Sequence, residues 1–387
     1  MRQDCSFGRE AVHTMNSISV LIKPASGLCN MHCRYCFYRD ETEKRTVAGF
    51  GIMPEATLRA VLEKLLAYAQ GSCTLAFQGG EPTLAGLDFF QKAVMFAREL
   101  NVNRSELHFA LQTNGLLLDD AWCAFLAEQK FLVGLSLDGP KALHDLNRKD
   151  ARGEGTYARV RRAAQLLKKH NVDFNILSVI TANTCRDYRQ VHAFFSEAGL
   201  RYRQGIPCLD PLGEPRGKQP WSLTPAGYER YLKAAFDCWY EDEMRGKPTY
   251  HRWFENLLML LAGQPPEACG MLGVCGRQYV VEADGGVYPC DFYVLDEYRL
   301  GSLCTDTLEQ IEEKRAALGF IEQSPCRARE CESCRWLSLC RGGCRRDRDY
   351  FEAGLNLNYY CGAYKGFFAH AYERLEAVLR RRMNAAK

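Results

Sequence analysis

No stretch of the 387-residue chain stays apolar for the ~18 residues that a membrane span needs, and its N-terminus has no signal-peptide core. The chain is therefore expected to be cytoplasmic, with no membrane partner. Charge of one sign is lacking as well. Fifty Lys and Arg face 47 Asp and Glu, a formal net charge of +3, so no nucleic-acid partner is expected. Hydrophobic residues make up 47% and charged residues 25%, the composition of a globular chain with room for one large domain and a smaller one.

Cysteine, in contrast, is abundant. Nineteen cysteines in a chain without a secretory signal point to metal sites rather than disulfides. Some are bland. Cys73, Cys123, Cys185, Cys208 and Cys238 sit singly among apolar residues, where a thiol serves as a small core hydrophobe, and Cys5, Cys304 and Cys326 join no cluster.

The chain is organised around residues 23–38, KPASGLCNMHCRYCFY, where Cys29, Cys33 and Cys36 are spaced C-x3-C-x2-C after the apolar run Ile18–Ile22. Pairing two as a disulfide would leave one over. A closed zinc site wants four ligands and an ordinary [4Fe–4S] cluster four cysteines, so three thiolates leave one iron open to another ligand. A zinc knuckle with a distant fourth ligand is the alternative.

From residue 17 onward, short β-type runs alternate with helical patterns. Strands are expected at Ile18–Ile22, Thr74–Gln78, Leu107–Gln112, Leu132–Leu137, Phe174–Ile180 and Tyr202–Cys208. Helices are expected at Pro54–Gln70, Leu87–Leu100, Asp119–Gln129, Thr156–His170 and Arg186–Ala198, with Asp119 as an N-cap. Such repeats predict an α/β fold with a parallel sheet. The polar motifs QGGEP, TNG and DGP all fall at strand C-termini, where barrels place their sites, which favours a partial (β/α)6 TIM-type barrel over a doubly wound sheet. Two helices follow, Pro225–Met244 and His251–Ala262. The expected organisation is an extension over 1–16, the barrel over 17–224, a helical linker over 225–268, a cysteine-rich domain over 269–361 and a terminal helix over 362–387.

The cysteine-rich domain holds Cys331-x2-Cys334-x5-Cys340-x3-Cys344 with Cys361 beyond. It also holds Cys269-x5-Cys275, then Cys290 after a hairpin expected over Gln278–Tyr288 that turns at Asp284-Gly285. These eight cysteines match two fully ligated [4Fe–4S] clusters, with two zinc sites as the competing reading. After strand two, Gly79 and Gly80 permit close approach to the backbone, and Glu81 could pair with an ammonium group.

With Tyr35 before its last cysteine, the loop resembles the signature of radical S-adenosylmethionine (SAM) enzymes, in which SAM chelates the open iron. Gly79-Gly80-Glu81-Pro82 resembles their SAM-amine-binding motif, and Ser136 and Asp138 resemble their ribose-binding positions. The C-terminal pattern resembles the SPASM domain. LIKPAS, FQGGEPTLAG, LQTNG, KFLVGLSLDGPKALHDLNRKD, CLDP, VYPCDFYVLD and CRGGCRR together resemble the anaerobic sulfatase-maturating enzymes, from about residue 17 to the end. That resemblance implies oxidation of a cysteine or serine in a sulfatase motif to Cα-formylglycine. It implies SAM and three [4Fe–4S] clusters: one on Cys29, Cys33 and Cys36, a first auxiliary cluster on Cys269, Cys275, Cys290 and Cys344, and a second on Cys331, Cys334, Cys340 and Cys361. It further implies Asp291 as general base, Tyr38 and Gln78 near the substrate, a sulfatase polypeptide as partner and a reducing donor such as flavodoxin or ferredoxin. The rivals are a crosslink-forming SPASM enzyme acting on a ribosomal peptide and a non-catalytic zinc-rich adaptor.

Overall fold

The computed structural model describes residues 17–348 and 357–385, so the extension expected over 1–16 lies outside the described residues. The chain forms two compact units. The first takes the chain up to Ser136, with Arg148–Phe174 and Arg277–Glu322; the second takes Leu137–Asn147, Asn175–Gly276 and the chain from Gln323 on.

The strands of the first unit are β1 (Ile18–Ile22), β2 (Ser72–Phe77), β3 (Glu106–Thr113) and β4 (Leu132–Ser136). β1 to β4 pair in parallel in chain order. β2 alternates half-buried with fully buried residues, the period-two pattern of a strand with one face on a core. That core is aromatic: Phe90 lies against Phe77, Phe89 and Trp122 with ring centroids 4.9–5.6 Å apart. The helix Leu87–Glu99 supplies Phe89 and Phe90 from its buried face, and Asp120–Glu128 supplies Trp122. Asp119 caps the latter as its sequence predicts, its carboxylate accepting from Trp122 N at 2.9 Å.

The second unit holds β5 (Phe174–Ile180) from Asn175 on, β6 (Tyr202–Pro207) and β7 (Tyr250–His251), paired in parallel. Helix Pro225–Met244 starts on a Thr224 cap with Pro225 in its first turn. It packs with Arg252–Leu261 and Cys361–Ala385 around Phe236, Trp239, Phe254 and Phe367.

The hairpin expected over Gln278–Tyr288 is present as β8 (Tyr279–Val281) and β9 (Gly286–Tyr288), turning at Asp284-Gly285. It is not confined to a separate cysteine-rich body. β8 pairs in parallel with β1, and β9 with β10 (Gly301–Ser302), so the first unit runs β10-β9-β8-β1-β2-β3-β4. A parallel pairing so distant in sequence leaves no local mark, which is why spacing alone does not reveal it. Sequence periodicity also passes over the helix Phe37–Glu43 directly after the cysteine loop.

Candidate iron–sulfur and substrate site

The order β8-β1-β2 sets three chain segments side by side just past their strand ends. Lys23 follows β1 and donates its N–H to Val281 O, Gln78 follows β2 and donates to Ile22 O, and Glu282 follows β8. The cysteine loop leaves at Lys23 and carries Cys29, Cys33 and Cys36 into helix Phe37–Glu43. Cys29 Sγ accepts from Met31 N at 3.4 Å and lies 3.8 Å from Asn114 Nδ2. Burial pushes its thiol up to about 12, against those two donors. Burial also raises Cys36, against the N–H groups of Arg39 and Tyr38 and the charge of Arg148. The Arg148 guanidinium stands 5.4 Å over the buried Tyr35 ring.

The QGGEP turn lies against this loop. Gly80 adopts φ +51°, and a Cβ there would meet Leu28 O at 2.1 Å. Glycine is therefore required for the close approach sealed by Glu81 N donating to Leu28 O at 2.8 Å. The Glu81 carboxylate, 1% exposed, does not face an open cavity. Oε1 accepts from Thr83 N, Thr83 Oγ1 and Thr113 Oγ1, and Oε2 from Asn114 N at 2.7 Å. With three bonds on Oε1 and one on Oε2, the carboxylate ties the turn to the TNG loop. Asn114 extends the tie to the cysteine loop through Asn30 Oδ1 at 2.8 Å.

Behind the turn is a cluster that sequence reasoning brings out only in part. Tyr38 OH donates to Asp291 Oδ2 at 2.7 Å, and Gln78 Nε2 reaches the same oxygen at 2.8 Å and the Tyr38 oxygen at 2.6 Å. All three expected substrate-site residues thus converge on one oxygen. The other, Oδ1, is buried and has no hydrogen-bond partner among the described residues. Burial raises the Asp291 carboxyl, with the charge of Lys23 acting in the opposite direction. Burial also holds Tyr38 as a neutral phenol, its titration raised well above the ordinary value.

Lys23, Glu41, Arg45 and Glu282 were not singled out from the sequence. Lys23, 1% exposed, stands 3.1 Å from Glu282, 3.7 Å from Glu41 and 4.8 Å over the Tyr38 ring. Arg45 Nη1 reaches Glu282 at 2.7 Å. Burial would raise Glu282, but Lys23 and Arg45 bring its carboxyl down to about 2. Burial alone would lower Lys23, yet its surrounding carboxylates raise it. The signal available was Lys23 itself, a lysine at the end of an apolar strand. Its buried stem also explains Gly79, where φ is +98° and a Cβ would meet Lys23 Cε at 2.6 Å.

Ser136 is buried at the end of β4. Asp138 is fully buried, with Oδ1 accepting from Val179 N at 3.0 Å and its carbonyl from Ser178 Oγ at 3.3 Å, a backbone-bridging role within the second unit.

Of the eight remaining expected ligands, seven lie in the second unit and Cys290 in the first. In the second unit Cys331, Cys334, Cys340 and Cys361 line one small hollow with Trp336, Leu337, Tyr364 and Phe368. Burial pushes Cys340 up to about 11. Cys344 turns away to the other set: a Cβ on Gly270 would lie 3.4 Å from Cys344 Cβ, beside Cys269. Cys290 lies in the first unit, directly before Asp291. No disulfide joins the described cysteines, and no group of three or more His, Cys, Asp or Glu among the described residues could hold a metal ion by itself. The residues present fit a sulfur-bridged cluster. The loop thiols accept hydrogen bonds suited to thiolate, and the four of the hollow are walled by apolar rings.

The radical SAM superfamily pattern matches residues 24–191, and an iron–sulfur cluster-binding domain, SPASM, matches 269–335. Fold and site define a radical SAM enzyme, a partial α/β barrel that uses SAM and a [4Fe–4S] cluster and is joined to an iron–sulfur-binding SPASM domain. The cysteine-type anaerobic sulfatase-maturating enzyme of Clostridium perfringens is 48% identical over 362 residues, 93% of this chain and 98% of that one. The serine-type enzyme of Klebsiella pneumoniae is 32% identical over 354 residues, 90% and 86% of the two chains. The solved structure of anSMEcpe with bound AdoMet and the Cp18Cys peptide matches at 47% identity and TM-score 0.90, covering 94% of this chain and 99% of that one. The chain belongs to the anaerobic sulfatase-maturating enzymes. Streptococcus suis SuiB with its precursor peptide, at 16% identity and TM-score 0.63, shares the fold alone. Among the described residues no helix is long and apolar enough to cross a membrane.

Proposed function

We propose that this chain oxidises a cysteine within a sulfatase polypeptide to Cα-formylglycine, with Asp291 as the base. The observation that carries the role of Asp291 is the asymmetry of its carboxylate: Oδ2 is fixed by Tyr38 and Gln78, while Oδ1 is buried without a partner among the described residues. A fixed carboxylate with one open oxygen is suited to accept a proton from a substrate thiol placed beside it. Cysteine is favoured over serine because the cysteine-type relatives are 40–48% identical and the serine-type ones 28–32%.

Cys29, Cys33 and Cys36 hold the SAM cluster. Cys269, Cys275, Cys290 and Cys344 hold the first auxiliary cluster, and Cys331, Cys334, Cys340 and Cys361 the second. When bound, these groups supply a 5′-deoxyadenosyl radical that takes an Hβ atom and an acceptor for the second electron. The protein's own part is positional and protonic. Gly79 and Gly80 bring the main chain to SAM, and Glu81 holds that turn in place. Tyr35 and Ser136 would lie beside SAM, and Asp138, whose Oδ1 accepts from Val179 N, would shape the ribose pocket by fixing the backbone there. Asp291 takes the thiol proton as the substrate loses its second electron, leaving a thioaldehyde that water converts to the aldehyde and hydrogen sulfide. The enzyme works in a reducing cytoplasm, where its thiols stay reduced, and draws electrons from a flavodoxin or ferredoxin.

The test is an anaerobic assay of reconstituted enzyme with SAM, a strong reductant and sulfatase-motif peptides carrying cysteine or serine, read by mass spectrometry. Sulfur replaced by oxygen in the cysteine peptide is expected. D291N is expected to keep forming 5′-deoxyadenosine while product falls by about 100-fold or more. Unchanged peptides in the presence of SAM cleavage would remove the assignment, and undiminished product from D291N would remove the base.

A further inference from the structure

The whole-chain charge of +3 conceals a strongly basic segment. Residues 148–170 carry eight Lys and Arg against two acids, a net +6. This segment is joined to the cysteine loop. Met31 and Asp150 form an antiparallel bridge, and His32 N donates to Lys149 O at 2.7 Å. A second bridge, Lys149 to Gly155, folds residues 149–155 into a small hairpin. Asp150 accepts from Arg152 N and Glu154 N at 3.0 Å and pairs with Arg159 at 2.5 Å. That leaves Arg152 on the hairpin and Arg162, one helical turn beyond Arg159, exposed and, among the described residues, outside any ion pair. Arg34, between Cys33 and Tyr35, is exposed as well. Helix Tyr157–Lys169 contains no acidic residue of its own, and Asp120 of a neighbouring helix pairs only with its C-terminal end, at Lys169 and His170.

Cations held unpaired next to a redox loop are unfavourable for folding, since like charges repel, but favourable for capturing an anionic partner by steering. We infer that this face is the docking surface for a small acidic electron-transfer protein that reduces the cluster on Cys29, Cys33 and Cys36. The inference rests on the cluster assignment above and adds where the electron enters. One electron passes from the reduced donor, a flavodoxin hydroquinone becoming semiquinone, and is consumed as SAM is cleaved. A patch of a few arginines suits a weak, short-lived complex of the kind redox partners form, with affinity set by charge more than by buried area.

The experiment measures binding of an acidic flavodoxin to the reconstituted enzyme, with SAM cleavage alongside. Affinity is expected to fall about tenfold between about 0.05 M and 0.5 M salt, and by about tenfold again in R152E/R162E at low salt. The same variant should lose flavodoxin-driven 5′-deoxyadenosine formation in parallel, yet keep it when photoreduced 5-deazariboflavin, a small uncharged reductant, supplies the electrons. R380E/R381E makes the same charge change on the C-terminal helix and should leave flavodoxin binding intact. If R152E/R162E binds flavodoxin like the unmodified chain, or R380E/R381E weakens binding equally, the docking face is wrong. Salt-sensitive binding of the sulfatase peptide at this face in place of flavodoxin overturns it too. Failure of the unmodified chain to cleave SAM with deazariboflavin would count against the radical SAM reading, while the binding data would still decide the docking face.

Discussion

The two cysteine settings in this molecule are built on opposite principles. Around Cys29, Cys33 and Cys36 the surroundings are polar: Met31 N–H, Asn114, Arg148, Glu81 and two glycines that bring main chain close. Around Cys331, Cys334, Cys340 and Cys361 the walls are mostly apolar, Trp336, Leu337, Tyr364 and Phe368, with Glu330 and Lys365 beside them. A three-ligand site must keep polar main chain within reach because an outside molecule completes it, whereas a four-ligand site is complete and is best kept dry. Under the proposed assignment the first would be the site of SAM chemistry and the second a closed cluster.

That contrast breaks most sharply with cysteine replacements. C36A should abolish SAM cleavage and lower bound iron by about four atoms per chain, whereas C334A should keep SAM cleavage while forming less aldehyde. Iron analysis and 5′-deoxyadenosine assays distinguish the two. The next largest effect should come from K23M. Removing the ammonium leaves Glu282 and Glu41 buried without their shared partner, a loss of about 3–5 kcal/mol. Chemical denaturation would read that loss. The exposed pair Arg59–Glu99, at 2.6 Å, should contribute less than about 1 kcal/mol in the same assay.

Glycines sharpen the comparison. G80A must adopt a left-handed φ and meets Leu28 O, so it should lose about 2 kcal/mol or more together with SAM binding. G362A, at the head of the helix beside the hollow, meets nothing within 4 Å and should gain about 0.5 kcal/mol.

A pH effect is expected in the second unit as well. Burial, aided by the charge of Arg203, pushes the His251 imidazole down to about 3, so the folded chain keeps it neutral. The unfolded chain binds a proton near pH 6.5 and the folded chain does not, so stability falls as pH drops below that value. The loss should approach about 2 kcal/mol by pH 5, and H251F should flatten it. Unfolding midpoints across that range are the check.

Much of this was legible in the sequence, for a physical reason. Strands and helices of the barrel follow from local periodicity, and Asp119 and the Asp284-Gly285 turn fall where local backbone chemistry puts them. Cys29, Cys33 and Cys36 could be singled out from spacing because they share one short loop. The β8–β1 pairing was not, nor was the Lys23–Glu41–Glu282–Arg45 set, since both depend on residues brought together only after the sheet forms. The role of Glu81 was legible in part: its position was clear, its four internal donors were not.

The fit of Lys23 against Gly79 has a consequence for the routes by which such a chain can change. A methyl group at position 79 and a long stem at position 23 claim the same space. G79A alone should therefore be worse than K23A/G79A relative to K23A, a dependence of one substitution on its background that double-mutant analysis would read as coupling. Some left-handed strain at position 79 remains in either background. Each substitution alone is costly, since G79A meets the Lys23 stem and shortening Lys23 strips Glu282 and Glu41 of their shared partner, so the two positions are expected to change together.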